Sequence, residues 1–238
     1  MTALFGTSGS DSLLGTEGAD SIFGLDGGDT LQGEAGSDTL LGGPGSDVLR
    51  GDFLFSGGGD NDWIFAGKGE DDIVAGDGAD VVFGDLGNDV VNGANGADTL
   101  FGNSGQDILD GGNGADSLYG GQGNDSLFGN NDNDLLFGDA GNDTYTGGSG
   151  NDQFVIGSGF GTDLITDYGR GTDSLLLQGG MTAADLDLDF VESTGSIAGG
   201  SRNDVSIILR STGETLAIVA DLSLEEFNQI SIIEPLIL

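Results

Sequence analysis

One apolar residue returns at a fixed interval through most of this chain: Leu13, Ile22, Leu31, Leu40, Leu49, Ile64, Ile73, Val82, Val91, Leu100, Leu109, Leu118, Leu127, Leu136, Tyr145 and Phe154. The interval is nine residues. It breaks once, where Gly51-Asp-Phe-Leu-Phe-Ser56 adds six. Self-similarity at a fixed short period predicts a solenoid of stacked units. Written as nonapeptides from Gly6, the first position is Gly except at Ala66 and Ala75, and the fourth is Gly except at Asp60 and Asp132. From Leu175 onward the glycines thin and alternation takes over. Val205–Leu209 and Thr215–Val219, flanking Ser211-Thr-Gly-Glu214, read as a β-hairpin, and Ser223-Leu-Glu-Glu226 reads as a capping box opening a helical turn.

The sixth position carries the chemistry. It reads Asp11, Asp20, Asp29, Asp38, Asp47, Asp62, Asp71, Asp80, Asp89, Asp98, Asp107, Asp116, Asp125, Asp134, Asp143 and Asp152, sixteen Asp in sixteen repeats. A solvated turn would accept Asn as readily. The register asks for the carboxylate.

Gly111-Gly-Asn-Gly-Ala-Asp-Ser-Leu-Tyr119 and Gly120-Gly-Gln-Gly-Asn-Asp-Ser-Leu-Phe128 match at every fixed position the calcium-binding nonapeptide G-G-x-G-x-D-x-U-x. The chain resembles the repeats-in-toxin (RTX) family over about two thirds of its length. That resemblance implies an all-β fold: a parallel β-roll, a two-sheet β-solenoid with two nonapeptides per coil. Six residues of each repeat turn and three form a short strand, and a C-terminal β-rich cap closes the roll. Residues 1–155 would form the roll and 156–238 the capping and type I secretion-signal region. The three-residue strand points its middle residue to one side and its neighbours to the other, so the eighth position fills a thin core.

Charge sets the next requirement. The 238 residues carry 41 acidic and 5 basic side chains, a net charge of −36, with no His and no Cys. Such a chain repels nucleic acid and anionic membrane. It cannot build a Ser-His-Asp triad, a thiol nucleophile or a disulfide. Sixteen core side chains do not offset the ordering entropy of a Gly-rich roll, so cations are needed. Turns two repeats apart stack ~4.8 Å apart. Their carboxylates and Gly-exposed carbonyls make oxygen cages that suit calcium, which takes 6–8 ligands at about 2.3–2.6 Å. Carried over from the family, one site would take the carbonyls of Ala94 and Gly96 with Asp98, and the carbonyls of Gly111 and Asn113 with Asp116. Sixteen turns would then hold up to about fourteen Ca²⁺. Asp163, in the closing phrase Asp163-Leu-Ile-Thr-Asp-Tyr168, would complete a terminal site. Asp52, Asp77, Asp85 and Asp139 read as surface charge.

The ninth position distinguishes the two sheets. Even-numbered repeats carry Phe23, Leu41, Phe65, Phe83, Phe101, Tyr119, Phe137 and Val155, while odd-numbered ones carry a mixed set. This predicts an aromatic ladder on one outer face, about 38 Å long and widened by Trp63, Val81 and Leu135. Its exposed part is expected to meet a homodimer mate or protein partner. The third position, by contrast, shows no regular Thr or Asn ladder of the kind ice binding would need.

The N-terminus lacks a signal peptide and no apolar run reaches ~20 residues, so no membrane span is expected. The tail Glu234-Pro-Leu-Ile-Leu238 resembles the uncleaved C-terminal end of type I secretion substrates. The expected function is a secreted, extracellular, non-catalytic module that folds on binding several calcium ions and serves structure or interaction. The alternative is a polysaccharide-binding or appendage module of a larger secreted enzyme. Arg50, Lys68, Arg170, Arg202 and Arg210 are too few and scattered to favour an acidic polymer.

Overall fold

The structure is a computed structural model that describes residues 2–52, 59–168, 171–192, 203–222 and 231–233. Most of the 51–56 insertion, the Ser223–Glu226 capping box and the 234–238 tail lie outside the described residues.

The chain winds as a two-sheet parallel solenoid, with alternate strands entering alternate sheets of eleven and twelve strands. Register follows the repeat: Thr99, Leu100 and Phe101 stand opposite Ser117, Leu118 and Tyr119, one coil of two nonapeptides away. Across the insertion the coil is longer, yet Thr39, Leu40 and Leu41 still pair with Trp63, Ile64 and Phe65. The register of the flanking strands is unshifted by the insertion.

Every eighth-position side chain from Ile22 to Phe154 is fully buried between the sheets, forming one continuous core. Flanking positions seven and nine are half-buried or exposed, as an alternating strand requires. The strands are longer than the three residues expected. From Thr39–Pro44 onward most span six, because pairing resumes past a corner at the second position: Asn103 faces Gly121, and Ser104 faces Gln122.

Stacking also runs past both ends of the nonapeptide region. At the start, Ala3–Phe5 pairs with Ser21–Phe23, and Thr2 stands where a sixth-position Asp would be. At the end, Asp163–Ile165 pairs with Thr144–Ser149, and Ser174–Leu177 pairs with Gln153–Ile156. The expected hairpin is present as Asn203–Leu209 antiparallel to Glu214–Leu222. Its second strand lies parallel to Asp163–Ile165, and Leu186–Glu192 adds outside the first. The cap thus extends the roll's own sheets. Among the described residues no helix is long and apolar enough to cross a membrane.

Candidate metal-binding turns

Each sixth-position Asp closes a turn and immediately precedes the next strand. From Asp29 onward its Oδ1 accepts the backbone N–H of the Asp one coil earlier, and Asp20 Oδ1 accepts that of Thr2. Asp80 N–H donates to Asp98 Oδ1 at 2.8 Å, and Asp98 N–H donates to Asp116 Oδ1 at 2.8 Å. The insertion does not interrupt these rows, since Asp38 N–H reaches Asp62 and Asp47 N–H reaches Asp71, both at 2.7 Å. The carboxylate lies over the first-position residue of its own turn; a Cβ on Gly93 would sit 2.5 Å from Asp98 Oδ2. That contact is why the repeat opens with Gly.

The second carboxylate oxygen divides the turns into two kinds. In the first two, Thr at the second position donates to it through backbone and hydroxyl: Thr16 N–H and Oγ1 reach Asp20 Oδ2 at 2.8 and 2.7 Å, and Thr7 does the same for Asp11. Burial opposes the charge on Asp20, but these bonds hold its carboxyl below the ordinary value. From Leu25 the second residue enters the left-handed region (Leu25 φ 77°, Ala94 φ 76°, Asn103 φ 71°), which turns its N–H away from the Asp. At every sixth position from Asp29 to Asp143 the Oδ2 is then buried with no hydrogen-bond partner.

Unpartnered buried carboxylate oxygens are costly. Here they recur in two rows of like charge. Burial, and then the neighbouring carboxylates, push Asp62 and Asp134 up to about 8, and Asp89, Asp98 and Asp143 up to about 7. Among the described residues no three acidic side chains close on one point. A cation held in these turns therefore takes main-chain carbonyls as well as carboxylates. Buried anionic oxygens, no nitrogen or sulfur donors and adjacent carbonyls fit a hard cation such as calcium.

Other sequence-predicted residues fall as follows. Asp163 is buried and in register, but its Oδ2 lies 3.2 Å from the Tyr145 hydroxyl, so this end of the row closes on a protein donor. Asp173, outside the nonapeptide period, is also buried, and its Oδ1 accepts the N–H of Asp152 at 3.0 Å. Asp173-Ser-Leu-Leu176 repeats Asp11-Ser-Leu-Leu14, a signal hidden because the spacing to Asp152 is wider than two nonapeptides. Asp77 and Asp85 are half-buried acceptors for Asn95 and Asn103, and Asp139 is exposed.

Two expectations need correction. Asp52 is not surface charge: it is 3% exposed, and only the Asp77 backbone N–H stands near its carboxylate as a donor. Burial, then Asp80 and Asp60, push it up to about 7. A third-position polar ladder also exists on one edge, where Asn95 donates to Asp77, Asn113 to Asn95 and Asn131 to Asn113, each at 2.7 Å. Alternate repeats belong to opposite edges, so along the sequence its members are separated by third positions of the other edge.

On the outer face of the eleven-stranded sheet the aromatic ladder is formed. Phe65, Phe83, Phe101 and Tyr119 stack at 4.8–5.0 Å with planes 3–12° apart. Phe5 stacks on Phe23, and Leu41 fills the coil between the two sections. Phe137 turns to meet Phe160 from the segment after the roll at 5.4 Å.

The family model described as RTX calcium-binding nonapeptide repeat (4 copies) matches residues 5–40, 23–53, 56–91, 83–118, 92–127 and 119–154, more than half of the chain. No curated protein matches. Among solved structures, the crystal structure of extracellular lipase LipA from Serratia marcescens aligns over 97% of this chain at 16% identity, with a TM-score of 0.34. The chain spans 40% of that lipase chain, and nothing about activity follows from a likeness of that size.

Proposed function

Because this chain belongs to the family of RTX calcium-binding nonapeptide repeat proteins, we propose that it is a secreted, non-catalytic module whose roll folds as calcium fills its turns. One observation carries the reading: the row of buried, unpartnered Oδ2 atoms that recurs in every turn from Asp29 to Asp143. Those thirteen carboxylates lie in two rows of seven and six, which gives eleven neighbouring pairs. Asp11, Asp20 and Asp163, already hydrogen-bonded at Oδ2, mark the two ends. About eleven ions, rather than fourteen, is the count this division supports.

In each pair the Asp ties its turn to the coil before it through Oδ1 and leaves Oδ2 buried without a donor, and in every turn but that of Asp62 a left-handed second residue takes the competing N–H away. When bound, calcium supplies the positive charge that the rows lack. Binding only to the folded state then stabilises that state by mass action. The same reading has the module work in millimolar extracellular calcium, reached by type I export through its C-terminal region. A second copy of the chain would seat on the half-buried ladder section Phe65–Tyr119.

Circular dichroism in chelator and in millimolar calcium tests the central reading. A coil-like spectrum should become β-rich as calcium is added. A compact β spectrum that persists in excess chelator overturns it.

A further inference from the structure

The turn that receives the six-residue insertion is built differently from its neighbours. From Leu25 to Gly148 the described second-position residues are left-handed, and from Gly27 to Gly150 so are the fourth-position ones. Asp52 and Asp60 are the exceptions. Asp60 directs its Oδ2 to the backbone N–H of Gly36 at 3.0 Å. At Asp52 and Asp60 the backbone does not take that left-handed form. Asp62 nevertheless keeps the common problem, a buried Oδ2 with no donor, as does Asp80 one coil on. Unlike Asp11 and Asp20, neither is relieved by a Thr.

What this turn has in addition is Asp52. Its carboxylate is almost fully buried, and apart from the Asp77 backbone N–H beside it no donor reaches its oxygens. The side chain packs over Gly76, where an added Cβ would lie 2.5 Å from that of Asp52. The preceding residue, Gly51, lies directly beneath the Asp62 Oδ2 and the Ala75 carbonyl. A buried anion beside an unpartnered oxygen and an open carbonyl is an unfavourable arrangement without a cation and a favourable one with it.

We propose that Asp52, which stands in second-position register opposite Glu34, is an added carboxylate ligand that joins Asp62 and Asp80 around one divalent cation. The three carboxylates do not meet at one point in the cation-free arrangement, so binding draws the Asp52 side chain round toward the other two. With three anionic ligands instead of two, this turn fills before the others. The inference rests on calcium binding by the roll and adds where filling begins.

Trp63, next to Asp62 and the only Trp, makes the site separately visible. In the full chain, terbium ions stand in for calcium, and emission sensitised by Trp63 reports the nearest site. Wild type should show this emission at the lowest occupancy. Asp52→Asn should weaken the Trp63-sensitised site by about tenfold and lower the calcium stoichiometry by one, with most of the β spectrum retained. The same variant should melt lower in calcium but higher in chelator, because a buried charge has been removed. Unchanged Trp63-sensitised affinity in Asp52→Asn overturns the proposal, as does higher stability in both conditions. If the variant does not fold, the wild-type filling order decides: emission that rises last overturns it. A wild type that binds neither ion refutes the calcium reading itself, whereas normal calcium binding with an indifferent Asp52 refutes only this placement.

Discussion

The hydroxyl of Tyr145 donates to Oδ2 of Asp163 at 3.2 Å and accepts the backbone N–H of Gly138 at 2.9 Å. Tyr145 occupies an eighth position, where aliphatic residues serve elsewhere until Phe154. The longer side chain crosses the core to the turn edge and supplies the donor that a cation would otherwise replace. Tyr145→Phe leaves both partners buried and unpaired, at a cost of roughly 1–3 kcal/mol. Urea unfolding in saturating calcium should show that loss, while Tyr119→Phe on the outer ladder stays near wild type. Equal midpoints for the two variants would contradict the assignment.

Asp98 and Asp11 occupy the same repeat position with different obligations. Asp98→Asn retains an acceptor for the Asp80 N–H but removes charge from an unpartnered Oδ2. Asp11 already receives the Thr7 hydroxyl at 2.9 Å. The calcium midpoint for folding should rise several-fold in Asp98→Asn and stay close to wild type in Asp11→Asn. Isothermal titration would expose the error if both variants moved together.

Without metal, the row should respond to acid. Asp38, Asp71, Asp107 and Asp116 are pushed up to about 6, and Asp62 and Asp134 to about 8, chiefly by burial. The folded form therefore holds protons more tightly than the unfolded chain, whose carboxyls titrate near 3.8. Their contribution to stability is fully present below that value and is lost as pH rises through 6 to 8. In excess chelator, far-UV dichroism should show more β structure at pH 5 than at pH 8. The reverse order would mean that these carboxylates are not buried in the metal-free fold.

The stacked rings give a fourth test. Phe83 and Phe101 lie 4.8 Å apart with planes 5° apart, so each ring face is covered by a neighbour and the edges point outward. Replacing both with Ser removes stacking of about 0.5–1.5 kcal/mol per pair and the proposed seat for a second copy. Light scattering should show a lower assembly mass with calcium binding retained. A wild type that is already monomeric at high concentration removes the dimer from the account.

The core and the sixth-position rows were legible because they repeat. A period of nine with one apolar and one acidic position encodes the same local strand and turn each time, so the eighth positions, the Asp rows and the Phe65–Tyr119 stack could be read directly from the residues. Contacts between coils could not. Asp52 looked like loop charge because nothing nearby in sequence buries it; Gly76, a full coil further on, does. Asp173 and the Ala3–Phe5 strand belong to the stack through pairing alone, at spacings or with residues that depart from the repeat. The division between Thr-capped and open carboxylates depends on whether the second residue is left-handed. Leu25, Glu34 and Ala94 carry no side-chain preference for that conformation; the coils packed above and below impose it.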